Sequence, residues 1–273
     1  GADFKPVFNS EFPAQRIYTK LDWSDLVLEQ DSLDRIQEIL NWMEHRELIL
    51  ETWGLKKMLK PGYRSLFYGP PGTGKTLTAS LLGKTIGQDV YRVDISKVVS
   101  KYIGETEKNL SNVFDYAENK SWILFFDEAD SIFGTRTSVQ NSNDAHANQT
   151  TSFLLQKIEA HPGLVLLASN NKGNIDSAFT RRFQSIIEFK KPNKEQRLAL
   201  WNNTLPDTIS HDQLDLDNLA SNYELTGSNI LNIVQKASLL ALNRDAVNPA
   251  LIHQDIMYAI VQEYNKEDKL INR

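Results

Sequence analysis

The stretch Gly69-Pro70-Pro71-Gly72-Thr73-Gly74-Lys75-Thr76 constrains this chain more than any other. It stands between a short apolar run, Ser65-Leu-Phe-Tyr68, and a segment of helical character from Leu77 to Gly87. Strand, glycine-rich loop and helix form the context in which backbone N–H groups turn inward on a phosphate and the helix N-terminus adds its positive dipole end. Lys75 has the reach for the β- and γ-phosphates, the Thr76 hydroxyl can ligate magnesium, and Leu77 opens the helix behind them. A glycine-rich turn with a solvated lysine is the bland alternative, and it does not require this order of elements.

A second signal lies about 50 residues downstream. Trp122-Ile-Leu-Phe-Phe126 is a continuous apolar run, the mark of a parallel strand buried on both faces, and it ends in Asp127-Glu128. Two acids at the carboxyl end of such a strand stand where open α/β sheets bind ligands. Asp127 is suited to the magnesium shell and Glu128 to orienting and activating an attacking water. Leu164-Val-Leu-Leu-Ala-Ser-Asn170 is another buried strand, ending in an amide that can hydrogen-bond the water or the γ-phosphate. Alone, an asparagine there is more often a turn former. Arg181-Arg182 follow; a solvated basic spot is the ordinary reading, but in this order they can act as arginine fingers on a transferring phosphoryl group.

These strands, with Val90-Tyr-Arg-Val-Asp94 and Ser185–Phe189, alternate with helical segments, so the chain reads as α/β with a five-stranded parallel sheet. After Lys191-Pro192 only helical periodicity remains, in Lys194–Leu205, Asp212–Tyr223, Ser228–Arg244 and Leu251–Gln262. The expected organisation is an irregular arm over 1–20, an α/β domain over 21–191 and a small all-α lid over 192–273.

Composition narrows the function classes. The formal net charge of −5 weighs against a protein whose main task is sequence-independent nucleic-acid binding. There is no cysteine, so disulfides, thiolate nucleophiles and zinc-thiolate sites are excluded, and the five histidines lack metal-ligand spacing. No apolar run approaches the ~18 residues of a membrane span. The first residues lack the basic and apolar regions of a signal peptide. A cytoplasmic setting is expected, with further chain upstream.

In order and spacing these motifs resemble the AAA clade of the AAA+ ATPases, from about Asp22 to the end of the chain. Phe125-Phe-Asp-Glu-Ala-Asp130, Ala168-Ser-Asn170 and Ile175-Asp-Ser-Ala-Phe-Thr-Arg-Arg-Phe183 carry the likeness beside the phosphate loop. The resemblance implies ATP and magnesium as cofactors, the P-loop strand order 5-1-4-3-2, and nucleotide between sheet and lid. Asp25-Leu26-Val27-Leu28 stands where the family's N-terminal linker covers the base, and Thr226-Gly227-Ser228-Asn229 where its Ser-Gly-Ala-Asp lid motif packs near adenine. One acid of that motif is lost here, no proline follows the sensor Asn170, and no zinc-protease motif follows the lid.

The resemblance further implies an ATP-dependent homohexamer in which Arg181 and Arg182 act on the neighbour's ATP. Lys101-Tyr102-Ile103-Gly104 resembles the first pore loop, a grip for an extended protein substrate. Periodicity alone would place Tyr102 and Ile103 in the core. Within the clade the paired arginines are closer to katanin and spastin than to the FtsH protease. The overall wording resembles bacterial AAA ATPases, some of which accompany phage-tail-like contractile injection systems. The leading expectation is a protein remodelling or threading motor. The alternatives are an ATP-dependent assembly switch or scaffold and a nucleic-acid motor or loader.

Overall fold

Continuous apolar strands have only one comfortable place in a protein, the middle of a sheet covered on both faces. In the computed structural model, which describes residues 14–93, 105–129, 142–170 and 180–266, that is where they lie. Strands β2 (Tyr63–Tyr68), β4 (Ile123–Phe126) and β5 (Leu164–Ser169) are buried along nearly their whole length. With β1 (Ala14–Ile17), β3 (Val90–Val93) and β6 (Ser185–Glu188) they form a six-stranded sheet of order β1-β3-β4-β5-β2-β6.

The five expected parallel strands take the family order 5-1-4-3-2, read from β6 to β3. The strand count needs correction, because Ala14–Ile17, read as part of an irregular arm, pair antiparallel to β3 from Ala14↔Val93 to Ile17↔Val90. Four residues make too short a run for alternation to register. The edge is held by backbone pairing and by an ion pair of Arg16 with Asp89.

The chain divides into two units, each with its own core. The first comprises residues 1–22, 30–69 and 75–188. Helix α3 (Glu105–Lys120) turns Leu110, Val113, Phe114 and Ala117 inward, the face that periodicity predicts. Helix α4 (Ser142–Ala160) adds Leu154, Leu155 and Ile158 to the same cluster, against Leu124, Phe126 and Val165. Helix α1 (Gln30–Glu47) buries Ile36 and Ile39, and its Ser32 hydroxyl donates to the Glu188 carbonyl at 2.9 Å. Helix α2 (Lys75–Ile86) follows the glycine-rich loop.

His161 sits in this unit beneath Phe114, with ring centroids 5.6 Å apart and an edge-on geometry. It is buried, and its Nε2 has no hydrogen-bond partner. Burial, aided by the positive charge of Arg46, lowers its pKa from 6.5 to about 4. An imidazole held neutral in the folded state takes up its proton more readily when unfolded. Stability therefore falls as pH drops from about 6.5 towards 4 and is fully present above that window. The loss expected from this residue is about 3 kcal/mol. In urea titrations at pH 7.5 and 4.5, His161→Gln should lose less stability between the two than the wild type; an equal loss would remove His161 from the account.

The second unit comprises 23–29, 70–74 and 189–273. Its helices α5 (Lys194–Thr204), α6 (Leu216–Asn222), α7 (Gly227–Arg244) and α8 (His253–Lys266) begin where caps allow. Asn193 with Gln196, and Thr226 with Asn229, form reciprocal capping boxes. Asp215 accepts from the Asn218 N–H as the N-cap, so α6 starts at Leu216 rather than at Asp212, where the periodicity places it; residues 212 and 213 form a turn instead. Trp201, Leu219, Ile230, Ile233, Ile256 and Ile260 fill the core. Arg197 fastens the entry to this unit, donating to the Ala220 carbonyl at 2.7 Å and the Pro192 carbonyl at 2.8 Å.

Candidate nucleotide site

In the first unit, strand β2 leads to Gly69 and β5 to Asn170, and their parallel register runs to Tyr68↔Ser169. Both therefore leave the sheet at the same carboxyl edge, with the Gly69 N–H donating to the Ser169 carbonyl at 3.1 Å. Lys75, at the start of α2, is only 8% exposed. A buried ammonium must be satisfied, and its Nζ donates to the Gly69 carbonyl at 2.6 Å and to Asn170 Oδ1 at 3.3 Å. Two residues that are 95 positions apart in sequence, Lys75 and Asn170, thus meet through the strand order alone.

Strand β4 pairs with the other side of β5, Phe126↔Leu167, and delivers Asp127 and Glu128 to the same edge. The Glu128 N–H donates to Asp127 Oδ1 at 3.0 Å, and the Ala129 N–H to the Ala168 carbonyl at 2.8 Å. Glu128 holds a left-handed backbone, φ 54°. Such a conformation costs a non-glycine residue on the order of 1 kcal/mol or more and tends to persist where function needs it. Asp127 faces Arg92 of β3, with Nη2 at 3.2 Å from its carboxylate. Arg92 was not among the expected site residues. A cation within the otherwise apolar run Val90-Tyr-Arg-Val is the one sign of it in the sequence, and the structure leaves it exposed in a buried strand.

Thr76 and Asp127 offer hard oxygens, the donors magnesium takes. A hydroxyl and a single carboxylate suit a divalent ion that takes its remaining ligands from phosphates and water; here the Asp127 carboxylate is held by Arg92. Of the paired arginines, Arg182 forms an ion pair with Glu159 at the end of α4, while Arg181 is exposed. The guanidinium of Arg64, beside that pair, donates to the Glu159 carbonyl at 3.0 Å. Both arginines are exposed, and Arg182 is in addition tied to its own unit by this ion pair.

The second unit holds the tip of the loop, Pro70–Gly74, together with the linker and lid residues expected near adenine. Thr73 Oγ1 donates to the Pro70 carbonyl at 2.8 Å and tightens the loop. Gly72 and Gly74 have φ values of 76° and 104°, which favour glycine. Space requires it as well: a Cβ at Gly72 would lie 1.9 Å from Ser228 Oγ, and one at Gly74 2.8 Å from Leu26 Cδ1. The Ser228 N–H donates to the Gly72 carbonyl at 3.4 Å, and Gly227 lies over the same carbonyl. Leu26, Gly227 and Ser228 therefore converge on the loop. Asp25 closes a short 3-10 turn, and Val27 is half-buried beside Leu26. The linker is fastened to α5 by Asn203, which donates to the Ser24 carbonyl at 3.0 Å. The pore-loop candidates Lys101, Tyr102, Ile103 and Gly104 lie outside the described residues.

Among the described residues no helix is long and apolar enough to cross a membrane. Residues 65–191 match the family described as "ATPase family associated with various cellular activities (AAA)". Protein SAV of Sulfolobus acidocaldarius is 32% identical over 236 residues, covering 83% of this chain and 29% of that protein. The 26S proteasome regulatory subunit 10B homolog A of Arabidopsis thaliana is 31% identical, over 83% of this chain and 58% of that protein. A proteasome-activating nucleotidase of Methanoregula boonei is 31% identical, over 74% of this chain and 48% of its own length. The chain thus spans less than two thirds of each of these relatives. With the sheet order, the loop and the strand-end acids already in place, the matches agree with the fold: residues 65–191 form an AAA ATPase domain, and the sheet is that of an AAA P-loop domain.

Proposed function

We propose that this chain binds ATP with magnesium, hydrolyses it, and spends the energy on remodelling or threading a protein substrate through a homohexameric ring. The observation that best supports hydrolysis is the group at the carboxyl edge of β2, β5 and β4. Buried Lys75 contacts Asn170 there, and Glu128 is held in a left-handed backbone behind Asp127.

In this reading the loop from Gly69 to Thr76 cradles the phosphates and Lys75 offsets their charge. Asp127 and Thr76 hold the magnesium shell; the ion, when bound, neutralises charge on the phosphates. Glu128 orients a water and takes up its proton, and Asn170 hydrogen-bonds the water or the γ-phosphate. Leu26 with Asp25 and Val27 covers one side of the base, and Gly227 with Ser228 the other. Arg181 from the neighbouring subunit stabilises charge on the transferring phosphoryl group. A heterologous contact of this kind, the same patch pair repeated around an axis, gives a ring where the rotation closes.

Relatives named as a proteasome regulatory subunit and as a proteasome-activating nucleotidase favour a protein substrate over nucleic acid, and so does the acidic chain. Katanin- and spastin-like wording at Arg181-Arg182 is a likeness of residues, and a cytoplasmic setting belongs to the same reading. The grip is assigned to Tyr102 and Ile103. Tyr102→Ala should keep basal ATP turnover within about threefold, while ATP-dependent unfolding of a tagged protein probe falls at least tenfold. If unfolding proceeds unchanged, the threading role passes away from Tyr102 and an assembly switch becomes the better account.

A further inference from the structure

The lid motif of this chain has an amide, Asn229, at the place where the resembled motif has an acid. That amide is not idle. Its Oδ1 accepts from the Thr226 N–H at 2.9 Å and from the Thr226 hydroxyl at 2.7 Å. Its Nδ2 donates to Oε1 of Glu263, on α8, at 3.1 Å. Glu263 Oε1 also accepts from Asn232 at 2.9 Å, and Oε2 from the Lys266 ammonium at 2.7 Å. Asn229 and Glu263 are 5% and 6% exposed, so this is an interior network. Burial pushes the Glu263 carboxyl up, but the hydrogen bonds from Lys266, Asn232 and Asn229 outweigh it and hold the group below the ordinary range.

The network continues towards the phosphate loop. Thr226 Oγ1 lies 3.3 Å from Ser228 Oγ, and the Ser228 N–H reaches the Gly72 carbonyl. Each link is in the second unit. We infer that Glu263 is a positioning residue of the nucleotide site, supplying from α8 the carboxylate that the lid motif itself lacks and fixing, through Asn229 and Thr226, the seat of Ser228 on Gly72. This rests on the reading of Gly72 and Ser228 as nucleotide-binding.

The hydrogen-bond polarity makes the assignment testable by exchange. An aspartate at 229 would still accept from Thr226 but would face the Glu263 carboxylate, two buried like charges in contact. A glutamine at 263 would turn that repulsion into a donor–acceptor pair. A fluorescent ADP analogue is titrated into the whole chain carrying Asn229→Asp, Glu263→Ala, or Asn229→Asp with Glu263→Gln, and thermal melts are followed in parallel. Each single variant should bind at least tenfold more weakly. The exchanged pair should bind within about threefold of the wild type.

Folded single variants that bind normally overturn the inference, as does an exchanged pair no better than Asn229→Asp. If Asn229→Asp does not fold, Glu263→Ala and the exchanged pair decide between the same outcomes. A role confined to lid packing would lower the melting temperature and leave the affinity unmoved. Lys75→Ala separates the two levels: retained binding there sinks the nucleotide reading itself, whereas lost binding there with normal binding by the lid variants sinks only the relay.

Discussion

Glu128→Gln should bind magnesium–ATP about as well as the wild type and release phosphate at least 100-fold more slowly. A positioned general base contributes roughly 10²- to 10⁴-fold, and 100-fold corresponds to about 2.7 kcal/mol of barrier. Glutamine keeps the size of the side chain and one acceptor oxygen but cannot take up the water's proton. The backbone that positions it should survive, because neither of its anchors uses the Glu128 side chain: the Ala129 N–H donates to the Ala168 carbonyl and the Glu128 N–H to the Asp127 carboxylate. Binding and chemistry should therefore separate cleanly, and the ATP-bound variant should stay assembled. Sizing by light scattering with ATP reads the assembly, and a phosphate-release assay reads the chemistry. Wild-type turnover in Glu128→Gln would assign water activation to another group.

Arg181→Ala should lower kcat by about 10³-fold or more, the range of arginine fingers, with nucleotide binding retained. Arg182→Ala should behave differently. Its guanidinium is paired with Glu159 at the end of α4, beside Arg64. Removing it would leave Glu159 without that partner and loosen the β6 approach before it touched any phosphate. A lowered melting temperature with a smaller kcat loss is expected of Arg182→Ala, measured beside Arg181→Ala in the same buffer. Equal kcat losses at unchanged stability would mean that both arginines reach the phosphoryl group.

Much of this was legible in the sequence because the signals are dense and local. Apolar runs ending in Gly69, Asp127 and Asn170 fixed three central strands and their carboxyl edge together, since a run buried on both faces has few other places to go. What stayed hidden depends on distant partners. Strand β1 is four residues long and gains its identity only by pairing with β3. Arg92 lies 35 positions before Asp127, and nothing in Val90-Tyr-Arg-Val predicts that parallel pairing of β3 with β4 brings them to 3.2 Å. Glu263 lies 34 positions after Asn229, on a helix whose periodicity announces only a buried face. The missing acid of the lid motif was visible as a gap; its replacement was not.

Mixing two inactive variants tests most directly whether adjacent subunits share the proposed active site. Glu128→Gln retains Arg181, and Arg181→Ala retains Glu128. If the finger serves the adjacent subunit, rings assembled from an equimolar mixture contain some junctions with both groups intact. Magnesium-dependent phosphate release by the mixture should then exceed the sum of the two variants measured alone by at least tenfold. A mixture that co-assembles yet releases phosphate no faster than that sum would contradict a site completed by the neighbour.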